Sequence, residues 1–579
     1  MARLAATASL ALMTLVLCLA AGGEPAQSNT PPTPPPIRVV YFIPSDRKAL
    51  AGHVERLDRV MTEVQRFYRD GMAAAGHGPR TFELERDAEA RLRIHVVQGK
   101  HPMETYGRND SGAVRAEVKV ALNTEGVDID REVVVIFQVL LKWDGNKATE
   151  VGPYVGGGNG RYGTAWVYDD ERLDAQLLGS KEPGGYYGRP CSIGEFNSHY
   201  VGGVAHELGH AFGLPHDCQS IAEGKRGKSL MGGGNHTYGQ EKRGEGPGSF
   251  LSPVSALLLR YSRPFAGELA DAAVPPASQL SDLEAQYADG RITLTGSAKG
   301  RPPVWALAAY DDLGRIASDY DAVGWICTVA GDGRFRLEIG EMRPGLSQFR
   351  IRTCHTNGST VIHAFDYTVD AQRVPDLAVF RYAIPLQRAV AACLSGDRQQ
   401  TEALAKDLKQ RFPGVDVVQR KAAHLLALLS PVPPQALADA EPDMSTIAIP
   451  RLAFAKASVG WGQVLRDQVP EQCFLQVGGV FHESGLYAHA PARFVLDLGG
   501  GWKRLRTGYG LQDNTGGSVV FVVTGDGQEL FRSQPVKDHV AREADVSVEK
   551  VGQLELRVED GGDGNRSDWG VWLSPRLER

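Results

Sequence analysis

The 579-residue chain lacks an apolar run long enough to cross a bilayer. Its one sustained stretch, Leu10–Leu19, is about half of the roughly 20 residues a membrane helix needs. It also lacks a surplus of either charge. A net charge of −6 with 23% charged residues offers no basic face for nucleic acid or for an anionic membrane surface. Cysteine is scarce. There are seven, and none lies between Cys18 and Cys191, so an N-terminal latency segment would have no thiol to place over a metal. The length itself excludes a single core, and three or four domains are expected.

Arg3 precedes the Leu10–Leu19 run, and the small residues Ala20, Ala21, Gly22 and Gly23 follow it. That order reads as a signal peptide over residues 1–22, so the protein is expected to be exported, whether secreted, periplasmic or at the cell surface. Leu17 before Cys18 is bulkier than a lipidation site carries, which favours cleavage over a lipid anchor at Cys18. Residues 23–36 form a proline-rich tether. Only about fifteen residues separate the expected cleavage point from the first strand, so there is little room for a latency domain. Six cysteines remain, an even number suited to an oxidising compartment. Cys191 and Cys218 flank the helix described next and are expected to form a disulfide. Cys327 with Cys354, and Cys393 with Cys473, are further candidate pairs.

The most informative stretch is His206-Glu207-Leu208-Gly209-His210-Ala211-Phe212-Gly213-Leu214-Pro215-His216-Asp217. On a helix, His206 and His210 share one face about 6 Å apart along the axis. Gly213 can take the left-handed conformation that ends the helix, and the chain can then return His216 as a third ligand. Three imidazoles leave a tetrahedral zinc with one open position, the arrangement of catalytic sites. Glu207, beside the first ligand, is placed to take a proton from water. Ordinary residue frequencies make this extended pattern a chance event in roughly one sequence in ten thousand. The bland alternative, three histidines and a glutamate buried in an apolar helix without a metal, is costly.

Fifteen residues beyond His216, Met231 lies in the glycine-rich Ser229-Leu230-Met231-Gly232-Gly233-Gly234, and Ser252-Pro253 opens a helix as cap and first residue. With the extended histidine motif, residues 37–268 resemble a metzincin metallopeptidase. The resemblance implies zinc on His206, His210 and His216, Glu207 as general base, and Met231 as the Met-turn beneath the metal. Asp217 is similar to the reprolysin branch, and Phe250-Leu251-Ser252-Pro253 resembles a less studied group of zinc peptidases; both branches stay open. Strands are expected at Ile37–Ile43, Leu92–Val96 and Val133–Phe137, a helix through Leu50, Val54, Leu57, Met61, Val64 and Tyr68, and a sheet-edge strand at Thr164–Tyr168. His236 and Tyr238, just past Met231, are candidates for the cleft wall.

The chain as a whole reads as multidomain. An α/β metzincin-like catalytic domain (37–268) precedes a small β-sandwich (277–371), a helical segment (376–430) and a linker (431–445). The sandwich and the helices read as scaffold. Residues 446–579 alternate as a β jelly-roll of galactose-binding type and resemble an NPCBM domain, a carbohydrate-binding module, which implies a glycan ligand. Trp461, Trp502, Trp569 and Trp572 are candidate sugar platforms, though aromatics in a sandwich are more often core. His482 and His489 read as surface or loop residues. The Asp560, Asp563 and Asn565 turn is the one place for calcium, with a solvated loop the plainer reading. The expected function is that of an exported zinc endopeptidase acting on protein or glycoprotein, with a module for targeting. The alternatives are a glycan-binding adhesion protein on a retained zinc scaffold, and a zinc amidase acting on a non-peptide substrate.

Overall fold

A computed structural model of the chain describes residues 34–145, 147–186, 189–314, 320–437 and 444–579. The signal segment, most of the proline-rich tether and part of the 431–445 linker lie outside the described residues. Among the described residues no helix is long and apolar enough to cross a membrane.

The first domain is built on one sheet. β1 (Pro36–Ile43), β2 (Ile94–Gln98), β3 (Val133–Gln138), β4 (Val155–Gly158) and β5 (Gly163–Tyr168) run in the order β2–β1–β3–β5–β4. All pairings are parallel except that of β4 with β5. Parallel strands need crossovers that cover both faces, and every residue of β3 and β5 is accordingly buried. Helices α1 (His53–Ala74) and α2 (Ser111–Thr124) supply crossovers, and α3 (Ile193–Ala211) follows the sheet. Tyr68 ties α1 to α3 by donating its hydroxyl to Ala205 O at 2.7 Å.

The edge differs from expectation. Thr164–Tyr168 is interior, and the glycine run before it is the edge strand β4. Glycine is a poor strand former, so the run reads as a loop by propensity. It is needed because β4 lies against α3: a Cβ at Gly156 or Gly158 would stand 2.0 Å from the carbonyl oxygen of Glu207 or Ala211.

After α4 (Pro253–Leu259), two antiparallel sheets form the β-sandwich. Its strands are β6 (Ala277–Ala288), β7 (Arg291–Arg301), β8 (Val304–Leu313), β9 (Val323–Thr328), β10 (Arg334–Ile339), β11 (Gly345–His355) and β12 (Thr360–Val369). The sheets are ordered β6–β7–β10 and β9–β8–β11–β12. The sandwich is docked on the first domain. Val254 and Leu257 of α4 share a buried cluster with Ala306, Ala308, Tyr310 and Ala322.

Helices α5 (Ala378–Leu394), α6 (Arg398–Arg411) and α7 (Asp416–Leu428) pack around Leu386, Leu408, Val418 and Leu425, and Phe474 and Phe481 of the C-terminal unit complete this core. That unit pairs two five-stranded sheets over Phe494, Leu496, Phe521, Leu556 and Trp572.

All six described cysteines are free thiols, so the expected Cys191–Cys218 bridge is absent. Cys191 precedes α3, whose 19 residues run about 28 Å. Cys218 lies beyond the other end, its N–H donating to Ala322 O of the sandwich at 2.7 Å. Disulfide Cα atoms stand within about 7 Å of one another. Cys327 and Cys354 sit on β9 and β11, with β8 between them. Two strand spacings, roughly 9.6 Å, keep them apart.

Candidate active site

The site is assembled from the far half of α3 and the turn beyond it. Ser192 caps the helix, its Oγ accepting from Glu195 N–H at 3.0 Å. Gly213, at φ 88°, stops it, with Leu214 N–H closing back onto Gly209 O at 3.0 Å. This C-terminal turn needs a left-handed residue, and it swings His216 back beside the helix.

The three imidazoles converge. His210 Nε2 is 3.2 Å from His206 Nε2 and 3.0 Å from His216 Nε2, and the ligand atoms of all three lie within 4.8 Å of one another. His206 Nδ1–H donates to Leu230 O at 2.7 Å, and His210 Nδ1–H donates to Leu214 O at 2.9 Å. A carbonyl only accepts, so in both rings the proton is on Nδ1 and Nε2 presents its lone pair. Bare lone pairs facing one another at this distance repel unless a cation lies between them. The donor set therefore fits a divalent metal that takes imidazole nitrogen, and the carbonyls are the outer partners such ligands ordinarily have. Burial, aided by the neighbouring imidazoles, pushes His206 down to about 3 and His210 down to about 4, holding both rings neutral. Among the described residues this is the one cluster of three that could hold a metal. The Asp560 turn forms no second one: Asp560 accepts from Gly562 N–H and Asp563 from Ser518 Oγ.

Glu207 is buried beside the first histidine. Burial pushes its carboxyl from the ordinary 4.5 up to about 7, opposed by a hydrogen bond from the Gly156 N–H of β4. Between those values the folded metal-free protein binds more protons than the unfolded chain, so this group's contribution to stability falls as pH rises through that window. Glu207→Gln removes that dependence. In metal-free protein the variant's unfolding free energy relative to wild type should rise by about 3 kcal/mol between pH 4 and pH 8, read from denaturant melts. Parallel pH profiles for the two proteins would contradict a buried ionisable base.

Beneath the histidines, Met231 is fully buried, and a Cβ at Gly209 would lie 2.5 Å from its Sδ. Asp217 fastens this floor. Its carboxylate accepts from the hydroxyls of Ser229, Ser252 (2.6 Å) and Ser255 (2.9 Å), joining the histidine turn to the methionine turn and to α4. Burial raises the Asp217 carboxyl, and the three hydroxyls pull it back down.

The other candidate residues divide. His236 faces the helix, its Nδ1 3.1 Å from Nδ1 of His199, two turns before His206. Tyr238 is buried against Phe67 and does not line a cleft. Trp502 and Trp572 are core, whereas Trp461 is 47% exposed with its ring 5.3 Å from Trp569. His482 is half-buried and His489 is buried. Sequence reasoning missed Tyr320, in the β8–β9 turn of the sandwich, whose ring stacks on His216 at 3.8 Å. The sandwich thus reaches the histidine cluster. No periodicity marks a turn residue for such a role.

Residues 445–578 match the family model described as NPCBM/NEW2 domain, and the C-terminal unit is such a domain. No curated protein matches the chain. Among solved structures, wild-type OgpA from Akkermansia muciniphila is similar at 23% identity and TM-score 0.50, covering 59% of this chain and 96% of that one. Catalytically inactive OgpA in complex with an O-glycopeptide (glycodrosocin) substrate is similar at 23% identity and TM-score 0.51, covering 59% and 95%. A CBM51 module from Clostridium perfringens GH95, in complex with methyl-galactose, aligns at 24% identity over 23% of this chain and 99% of its own, with TM-score 0.22. The likeness to OgpA is one of fold.

Proposed function

We propose that the chain is an exported, metzincin-type zinc endopeptidase that cleaves glycosylated proteins, and that its NPCBM domain holds it to glycan-bearing substrate. The observation that carries this reading is the convergence of three imidazole nitrogens beside a buried glutamate, next to the edge strand β4. His206, His210 and His216 would hold the metal. Zinc, when bound there, supplies the Lewis acidity that polarises a scissile carbonyl and acidifies the attacking water.

The chain's own residues do the rest. The Glu207 carboxylate takes the proton of the attacking water and passes it to the leaving amine nitrogen. β4 is an edge strand whose Gly156 N–H is committed to Glu207, and its remaining outward backbone groups would pair with an extended peptide, the mode by which sheet edges bind strands. Gly156 and Gly158 face α3, whereas a Cβ at Gly157 would meet nothing within 4 Å, so that side of the strand has room for a bulky substituent on the substrate. A glycan is the substituent that the NPCBM domain and the fold likeness to a protein crystallised with an O-glycopeptide both favour. An adhesion role would leave the costly burial of Glu207 without purpose.

The test uses full-length protein, because Phe474 and Phe481 complete the core of α5–α7 and truncation would expose it. Trp461→Ala should leave cleavage of a short O-glycopeptide near wild type. It should lower binding to a glycan array, and turnover of a densely glycosylated protein, by about tenfold, as loss of local concentration implies. Equal turnover of glycosylated and deglycosylated protein by the wild type would remove the glycan from this account. Failure of the zinc-loaded enzyme to cleave any protein would remove the peptidase.

A further inference from the structure

The histidine cluster is touched from outside the first domain. His206 and His210 stand on α3, each with Nδ1 fixed by a backbone carbonyl. His216 stands on the return turn beyond the helix, outside that regular frame. Its ring lies face to face with Tyr320, the centroids 3.8 Å apart and the planes 25° from parallel. The same tyrosine ring is 6.3 Å from His206 and 10° from parallel with it. Tyr320 is 104 residues further along the chain, in the turn that leads into β9.

The two segments are locked together beside this stack. Two residues beyond each ring, Cys218 N–H donates to Ala322 O at 2.7 Å, and Cys218 pairs with Val323 in a parallel bridge. Ile221 N–H, further along the same strand of chain, donates to Glu341 at 2.8 Å. Arg343 pairs with Asp321 at 3.6 Å and with Asp311 at 3.3 Å, holding the tyrosine's neighbour to the sandwich. Behind the bridge, Val254 of α4 packs so closely on Gly324 that a Cβ there would stand 2.6 Å from it. Tyr320 is 48% exposed, so one face of its ring covers His216 and the rest stands open at the rim of the site.

We propose that Tyr320 is a positioning residue for the third ligand. The β-sandwich holds its ring against His216, and this contact keeps the imidazole in the orientation that faces His206 and His210. Metal affinity then depends on the docking of the second domain, although none of the ligands belongs to that domain. The inference rests on the zinc reading above and concerns the ring of Tyr320, not its hydroxyl.

Zinc affinity of the full-length protein, measured by competition with a chromophoric chelator, tests it with two variants. Outer partners of metal ligands typically contribute 10–100-fold in affinity. Tyr320→Ala should weaken zinc about tenfold while the melting temperature of the metal-free protein stays near wild type. Tyr320→Phe, which keeps the ring, should bind zinc like wild type. The absorption of the cobalt-substituted protein should shift in the alanine variant and not in the phenylalanine one. Wild-type affinity in Tyr320→Ala overturns the inference alone, and so does a phenylalanine variant as weak as the alanine one. Wild-type protein that binds no zinc overturns the reading of the site itself, and this inference with it.

Discussion

Glu207→Gln is expected to retain zinc and fold while losing about 10²–10⁴ of turnover, the range a positioned general base contributes. The substitution is nearly isosteric, and the amide oxygen can still accept from Gly156 N–H, so the close contact of β4 with α3 survives. What disappears is the group that can take a proton. The carboxylate is held at the edge of a buried helix where burial already favours its protonated form. A basicity near neutrality suits a group that must first accept a proton and then release it to an amine. Steady-state kinetics on an O-glycopeptide, with zinc content measured on the same samples, separates the two effects. Turnover within a few-fold of wild type at full zinc content would remove Glu207 from the chemistry.

His210→Ala is expected to have the second large effect, through the metal rather than the base. His210 is the middle member of the cluster, its Nε2 within 3.2 Å of both others. Removing it leaves two ligands, short of the three protein ligands a catalytic zinc uses. Zinc should fall from about one per chain to near zero, with turnover following it to background. The fold should persist. The ring is only half-buried, and the helix stop at Gly213 is made by backbone hydrogen bonds. Zinc retained at full occupancy would contradict the ligand assignment, whereas a collapsed fold would show that the ring carries structure beyond the hydrogen bond to Leu214.

How far the site was legible follows from which interactions are local. Residues within about ten positions of one another write their geometry into spacing. The i, i+4 histidines, the left-handed Gly213 and the Ser252-Pro253 helix start are all of this kind, and each lies where the pattern places it. The edge was placed one strand too late, at Thr164–Tyr168, because the reason for the glycines of β4 is a tertiary one, the backbone of α3 lying where a Cβ would be. The cysteines misled for a related reason. Flanking a helix in sequence sets Cys191 and Cys218 a helix length apart in space. Asp217 was noticed as the residue after the third ligand, but its three serine partners are 12 to 38 residues away and no periodicity links them. Tyr320 is the extreme case. Its contact with His216 exists only because one domain docks on another, through a cluster of alanines, a valine and a leucine that resembles ordinary core.

The central claim is that one zinc ion sits among His206, His210 and His216. The most direct measurement is an anomalous difference map from crystals of the full-length protein, with data collected on either side of the zinc absorption edge. The account predicts a single strong peak about 2.0–2.1 Å from the Nε2 atoms of all three histidines, absent in His210→Ala. An active enzyme with no peak there, or with its zinc held by other residues, would contradict it.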